Sequence, residues 1–135
     1  MTNHKDKFHV LIVEDEELIA EMLAEYFALV APEIKLSFAK SLYEARTLLQ
    51  RDSFDLCVVD CNLPDGTACD LFFEGAFRCP VVVTTGYVDE QKFSQVKKES
   101  KIPLHLLQKP YLPADLYRKV RELLKIKNTG RKQER

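Results

Sequence analysis

The chain has 135 residues, enough for one domain that buries roughly two thirds of its unfolded surface. Its 20 Lys+Arg against 21 Asp+Glu give a formal charge of −1, without the basic excess of a nucleic-acid binder. No apolar stretch approaches the roughly 20 residues needed to cross a bilayer and no signal-peptide core opens the chain, so a cytoplasmic protein is expected.

The run FHVLIV (8–13) is short, apolar and β-branched, the composition of a strand covered on both faces. Ile19, Met22, Leu23, Tyr26, Phe27 and Val30 then recur at helical steps, with Pro32 just beyond. IKLSF (34–38) alternates apolar and polar residues, as a more exposed strand does. Ser41 and Glu44 have capping-box spacing and open a helix carrying Ala45, Leu48 and Leu49.

The stretch FDLCVVDCNLPDG (54–66) reads as a third strand that ends in a bare carboxylate, Asp60, ahead of a Pro-Asp-Gly turn. A short helix is expected from Ala68 to Ala76, with Leu71 and Phe72 turned inward. PVVVTT (80–85) is an uninterrupted strand run ended by Gly86. A thin fourth helix follows, anchored only by Phe93 and Val96. PLHLLQ (103–108) is the fifth strand, and residues 113–126 form a last helix with Leu116, Val120, Leu123 and Leu124 on one side. Strand and helix alternate five times, the pattern of a parallel sheet with helices on both faces.

The four cysteines, Cys57, Cys61, Cys69 and Cys79, form no CxxC pair and are expected to stay reduced in a cytoplasmic chain. From Arg121 onward six basic residues face only Glu122 and Glu134, and residues 127–135 are expected to be a basic, flexible tail after a domain spanning 1–126.

In such a sheet every strand delivers its carboxyl end to one edge, where ligands bind. The first strand brings Glu14 and Asp15, the third Asp60, the fourth Thr84 and Thr85, and the fifth Gln108, Lys109 and Pro110. Singly, these are ordinary capping, turn and strand residues. Together, and in this order, they describe a site. Carboxylates on neighbouring strands, about 4.8 Å apart, repel by roughly 4 kcal/mol at an effective dielectric near 20. Lys109 supplies one compensating charge, and a hard dication such as Mg²⁺ would supply two. Asp60 beside such an ion is then a carboxylate nucleophile suited to forming an aspartyl phosphate.

VLIVEDE, DLCVVDCNLPDG, VVVTTG and QKP resemble, in order and spacing, a response-regulator receiver domain of two-component signalling, over roughly residues 8–126. The resemblance implies a flavodoxin-like, doubly wound five-stranded sheet of order 2-1-3-4-5. It implies that Asp60 accepts phosphate from a histidine kinase or histidine phosphotransfer domain, with Thr85 and Lys109 contacting the phosphoryl group. Mg²⁺ would be held by Asp15, Asp60 and the backbone carbonyl of Asn62, with Glu14 acting through water. It further implies a cis peptide before Pro110, positions Asn62 and Tyr87 that tune phosphate loss, and a monomer or phosphorylation-dependent dimer. The family's switch aromatic, three residues before the lysine, is replaced here by Leu106.

The face formed by the fourth helix, fifth strand and fifth helix (87–126) carries Lys92, Lys97, Lys98, Arg118 and Arg121 and is the expected docking surface for an unknown downstream protein. No output domain follows, so a stand-alone or excised receiver is expected: a phosphoacceptor switch rather than an enzyme. A haloacid-dehalogenase-like phosphatase would need an Asp where Asn62 stands, and dinucleotide binding a Gly-rich loop after the first strand. A receiver-like scaffold that takes no phosphate is the other alternative. His4, His9 and His105 form no cluster and are assigned to no site.

Overall fold

The computed structural model describes residues 7–87 and 90–125. The expected tail at 127–135 and His4 lie outside these residues.

The chain runs β1 (Phe8–Val13), α1 (Glu17–Val30), β2 (Ile34–Ala39), α2 (Leu42–Arg51), β3 (Leu56–Asp60), β4 (Asn62–Leu63), β5 (Gly66–Thr67), α3 (Ala68–Phe73), β6 (Val81–Thr85), α4 (Glu90–Glu99), β7 (Leu104–Gln108) and α5 (Pro113–Leu123). Five strands form one parallel sheet in the order β2-β1-β3-β6-β7. Counting only those strands, this is the expected 2-1-3-4-5, with the order reversing between β1 and β3. β4 and β5 form a separate antiparallel hairpin where only a turn was expected.

Alternation along the strands sorts the core into two layers. Val10, Ile12, Leu56, Val58 and Val82 pack with Leu23 and Phe27 of α1 and with Leu116 and Val120 of α5. Leu11, Val13, Cys57, Val59 and Val81 face the other way, onto Ala45 of α2, Leu71 of α3 and Val96 of α4. Burying a side chain of this size stabilises by roughly 1.5–3 kcal/mol, so β1, β3 and β6, closed on both faces, form the rigid centre that carries the site.

Local readings were refined in three places. Met22 and Val30, expected on the inner stripe of α1, are exposed, because Leu23 and Phe27 already fill the contact with the sheet. The Ser41 hydroxyl accepts from Glu44 N–H at 3.2 Å, but the Glu44 carboxylate takes the Lys40 N–H at 2.8 Å, leaving the capping box half formed. The helix read to Ala76 ends at Phe73, where Gly75 adopts φ +71° and turns the chain. Cys57 and Cys79 are buried with their sulfurs 3.5 Å apart. No helix among the described residues is long and apolar enough to cross a membrane.

Candidate functional site

The carboxyl ends of β1, β3, β6 and β7 gather the acids, hydroxyls and lysine noted above. The register sets this. Val13 pairs with Val59, so Glu14 and Asp60 leave neighbouring strands at the same level, and Asp60 pairs in turn with Thr84. Ladder-like hydrogen bonds continue past the strand ends and hold the loops in place. Cys61 N–H donates to Thr84 O at 2.8 Å, and Lys109 N–H donates to Thr85 O at 2.7 Å.

Glu14 and Asp60 are 4% and 6% exposed, whereas Asp15 is open to solvent. One carboxylate oxygen from each lies within 4.8 Å of the others. Lys109 reaches over from the loop after β7 and places its Nζ 2.9 Å from Asp60 Oδ2 and 3.6 Å from Glu14 Oε1. Backbone donors complete the arrangement: Asn62 N–H donates to Asp60 Oδ1 at 3.2 Å and Glu16 N–H to Glu14 Oε2 at 3.1 Å.

The electrostatics follow from this packing. Burial pushes the Glu14 carboxyl above its usual range, against the pull of the Glu16 N–H and the Lys109 charge. Burial acts to lower the Lys109 ammonium, but its hydrogen bond to Asp60 and the charges of Asp60 and Glu14 outweigh that, so it stays above its usual value. Tyr111, which sequence reasoning missed, lies close enough that burial and the charges of Glu14 and Asp60 raise its phenol.

Three carboxylates against one ammonium leave two negative charges among oxygen ligands. Such a set fits a hard divalent cation, which prefers oxygen donors and tolerates few protein ligands. Thr85 is buried at the end of β6, one residue beyond the register partner of Asp60, and its hydroxyl is turned to its own loop, donating to Tyr87 O at 2.7 Å and accepting from Tyr87 N–H at 3.2 Å. Tyr87 itself is exposed, and the peptide bond before Pro110 is cis. Leu106 lies partly buried on the α4 side of β7.

The chain matches the model of the response regulator receiver domain over residues 10–121. It belongs to that family. This receiver domain is 39% identical over 80 residues to the response regulator protein PilR of Pseudomonas aeruginosa, covering 57% of this chain and 18% of that protein. The chain therefore spans about a fifth of that relative's length. Its fold is similar to a CheY-like receiver domain from Methanospirillum hungatei, with TM-score 0.75 and 23% identity over 87% of this chain and 94% of that one. It is also similar to the receiver domain of a Pseudomonas aeruginosa sensor histidine kinase whose structure has a magnesium ion coordinated in the active-site cleft (TM-score 0.69, 17% identity, 87% of this chain and 98% of that one).

One further anchor of the receiver domain was not read from the sequence. Asp65, from the turn after Asp60, accepts from Leu42 N–H at 2.9 Å and Tyr43 N–H at 3.1 Å, capping α2 from 22–23 residues away. Only the Pro-Asp-Gly turn signal was visible locally. Its pairing with the start of α2 was not.

Proposed function

We propose that this receiver domain is a phosphoacceptor switch in which Asp60 takes a phosphoryl group from a phosphohistidine on a histidine kinase or phosphotransfer domain. The reading rests chiefly on one observation: Asp60, nearly buried, is shared between a lysine ammonium and a cluster of two further carboxylates. An unpaired buried charge is costly, so a surplus of negative charge maintained here calls for a cationic ligand. Glu14, Asp15, Asp60 and the backbone carbonyl of Asn62 would hold Mg²⁺, which supplies charge to neutralise the oxygens of the transferring group.

The Asp60 carboxylate attacks phosphorus, the P–N bond to the donor imidazole breaks, and the imidazole leaves with the electron pair. Lys109 would pair with the phosphoryl oxygens as they arrive. Thr85 would donate its hydroxyl proton to one of them. The charge redistribution biases the face of α4, β7 and α5, where Lys97, Lys98 and Arg118 are exposed, toward a conformation that a downstream protein recognises.

Incubation of the full chain with Mg²⁺ and acetyl phosphate, followed by intact mass, tests this. The expected result is the mass gain of one phosphoryl group, absent from a folded Asp60→Asn variant. No gain in the wild type would leave a binding scaffold, and catalytic turnover of added phosphomonoesters would identify a phosphatase.

A further inference from the structure

We propose that Tyr87 supplies the mobile aromatic group of this receiver domain. On phosphorylation of Asp60 its ring leaves solvent and packs into the groove between α3, α4 and the sheet. The inference rests on the phosphoacceptor reading above and adds the side chain that reports it.

Proton counting links the two sites. The Thr85 hydroxyl carries one proton, and that proton is donated to Tyr87 O at 2.7 Å. A phosphoryl group on Asp60 presents acceptors, so Thr85 can bond to it only by turning this proton away from Tyr87. The return bond, from Tyr87 N–H to the Thr85 oxygen at 3.2 Å, depends on the same rotamer. A Thr85 hydroxyl bonded to the phosphoryl group therefore cannot keep its bond to Tyr87 O, and the Tyr87 backbone loses the side-chain acceptor that holds it in its present place. The space beside Gly86 is open, since a Cβ built there would meet nothing within 4 Å.

The ring has somewhere to go. Tyr87 is 79% exposed and borders a groove of about 280 Å³ lined by Cys61, Cys69, Phe72, Phe93, Val96 and Leu106. That volume exceeds the roughly 150 Å³ of an apolar cavity known to accept a benzene ring. The branched aliphatic side chain of Leu106 leaves this space open where a ring at the same position would occupy it. Asn62 and Thr67, which also line the groove, offer polar groups to a phenol that enters ring-first. The surface beside α4 would thereby lose an exposed aromatic on activation.

The chain contains no tryptophan, so Tyr87→Trp at this exposed position gives a single emitter. The full-length variant is treated with Mg²⁺ and acetyl phosphate, and phosphoryl uptake is read by intact mass in the same samples. Acrylamide quenching should fall severalfold, with a blue shift, in proportion to the phosphorylated fraction. Adding Leu106→Phe should fill the groove and cancel that response while the mass gain persists. Uptake without a change in quenching overturns the inference and leaves the phosphoacceptor reading standing. A response that survives Leu106→Phe also overturns it, by removing the groove as destination. Absence of any mass gain overturns both.

Discussion

The Nζ of Lys109 lies 2.9 Å from Asp60 Oδ2 and 3.6 Å from Glu14 Oε1, so one ammonium serves two nearly buried carboxylates. With Asp15 in the same cluster, three carboxyl groups meet one ammonium, a formal excess of two negative charges when all are ionised. Under the proposed function, the stability of this receiver domain and its affinity for a dication would therefore be coupled through Lys109.

Replacing Lys109 with Met leaves Glu14 and Asp60 without their cation. Breaking a fully buried pair costs 3–5 kcal/mol, but the Lys109 side chain is 20% exposed, so a loss of about 1–3 kcal/mol is expected in the absence of metal. The variant's site is also more negative by one charge. Mg²⁺ should accordingly raise its urea midpoint more than it raises the wild type's. An equal response in both proteins would show that Lys109 and the ion do not share these carboxylates.

Asp15→Asn should act in the opposite sense without metal. It removes a like charge from the cluster while altering only an exposed side chain, so apo stability is unchanged or slightly higher. The gain from Mg²⁺ should nearly vanish. In the wild type that gain reaches about 2.7 kcal/mol when the ion is at 100 times its dissociation constant. Thermal melts across a Mg²⁺ series check this, and a wild-type-sized gain in the variant would place the ion elsewhere.

What could be read from the sequence divides along the range of the forces involved. Strands such as VLIV and VVVTT announce themselves because burial on both faces demands apolar runs, and the acids and lysine at their ends follow from the strand boundaries alone. The outward turn of Met22 could not be read the same way, since the helical step admits it to either face and only the packing of Leu23 and Phe27 decides. Asp65 was visible as a turn residue and invisible as a cap, because its donors belong to a helix distant in sequence. The Thr85 hydroxyl posed a third kind of problem: its rotamer is chosen by a backbone carbonyl two residues on, which leaves no mark in residue identity.

Asp65 gives a pH-dependent prediction. The hydrogen bond from Leu42 N–H, with that from Tyr43 N–H and the Arg46 charge, holds its carboxyl below the usual aspartate range despite partial desolvation. A carboxylate lowered on folding contributes stability above its unfolded value, 3.8, and loses it as pH falls through the lower folded value. Asp65→Ala should therefore be less stable than wild type at neutral pH, with the difference shrinking in acid. It should also bind Mg²⁺ more weakly, since the loop carrying Asn62 loses its anchor on α2. Asp65→Asn keeps a neutral acceptor and should recover part of the metal affinity while its stability difference responds differently to pH. Gly66 resists substitution for a related reason: with φ +146°, a Cβ there would stand 2.6 Å from both Leu42 Cδ1 and Asp70 Oδ2. Denaturation midpoints from neutral to acid pH, with Mg²⁺ titrations beside them, decide the matter.

The rim of the acidic site predicts how a macromolecular phosphodonor differs from a small one. Leu18, 80% exposed, stands in the first turn of α1 with the exposed Met22 one turn on, and Leu112, 67% exposed, follows the cis-proline loop. Between α1 and that loop runs a groove of about 490 Å³ lined by Met22, Lys109, Pro110 and Tyr111. On the proposed function, a protein that delivers phosphate to Asp60 would approach over this rim, and exposed leucines beside a charged cleft suit the apolar face of a helical donor. Leu18→Asp should then slow transfer from a phosphohistidine donor by about ten- to a hundredfold, the equivalent of roughly 1–3 kcal/mol at an interface anchor. Uptake from acetyl phosphate, which needs no such surface, should remain near the wild-type rate. Parallel time courses with the two donors separate the cases: an equal loss with both would mean that the substitution damages the site itself, and no loss with either would mean that the donor docks on another face.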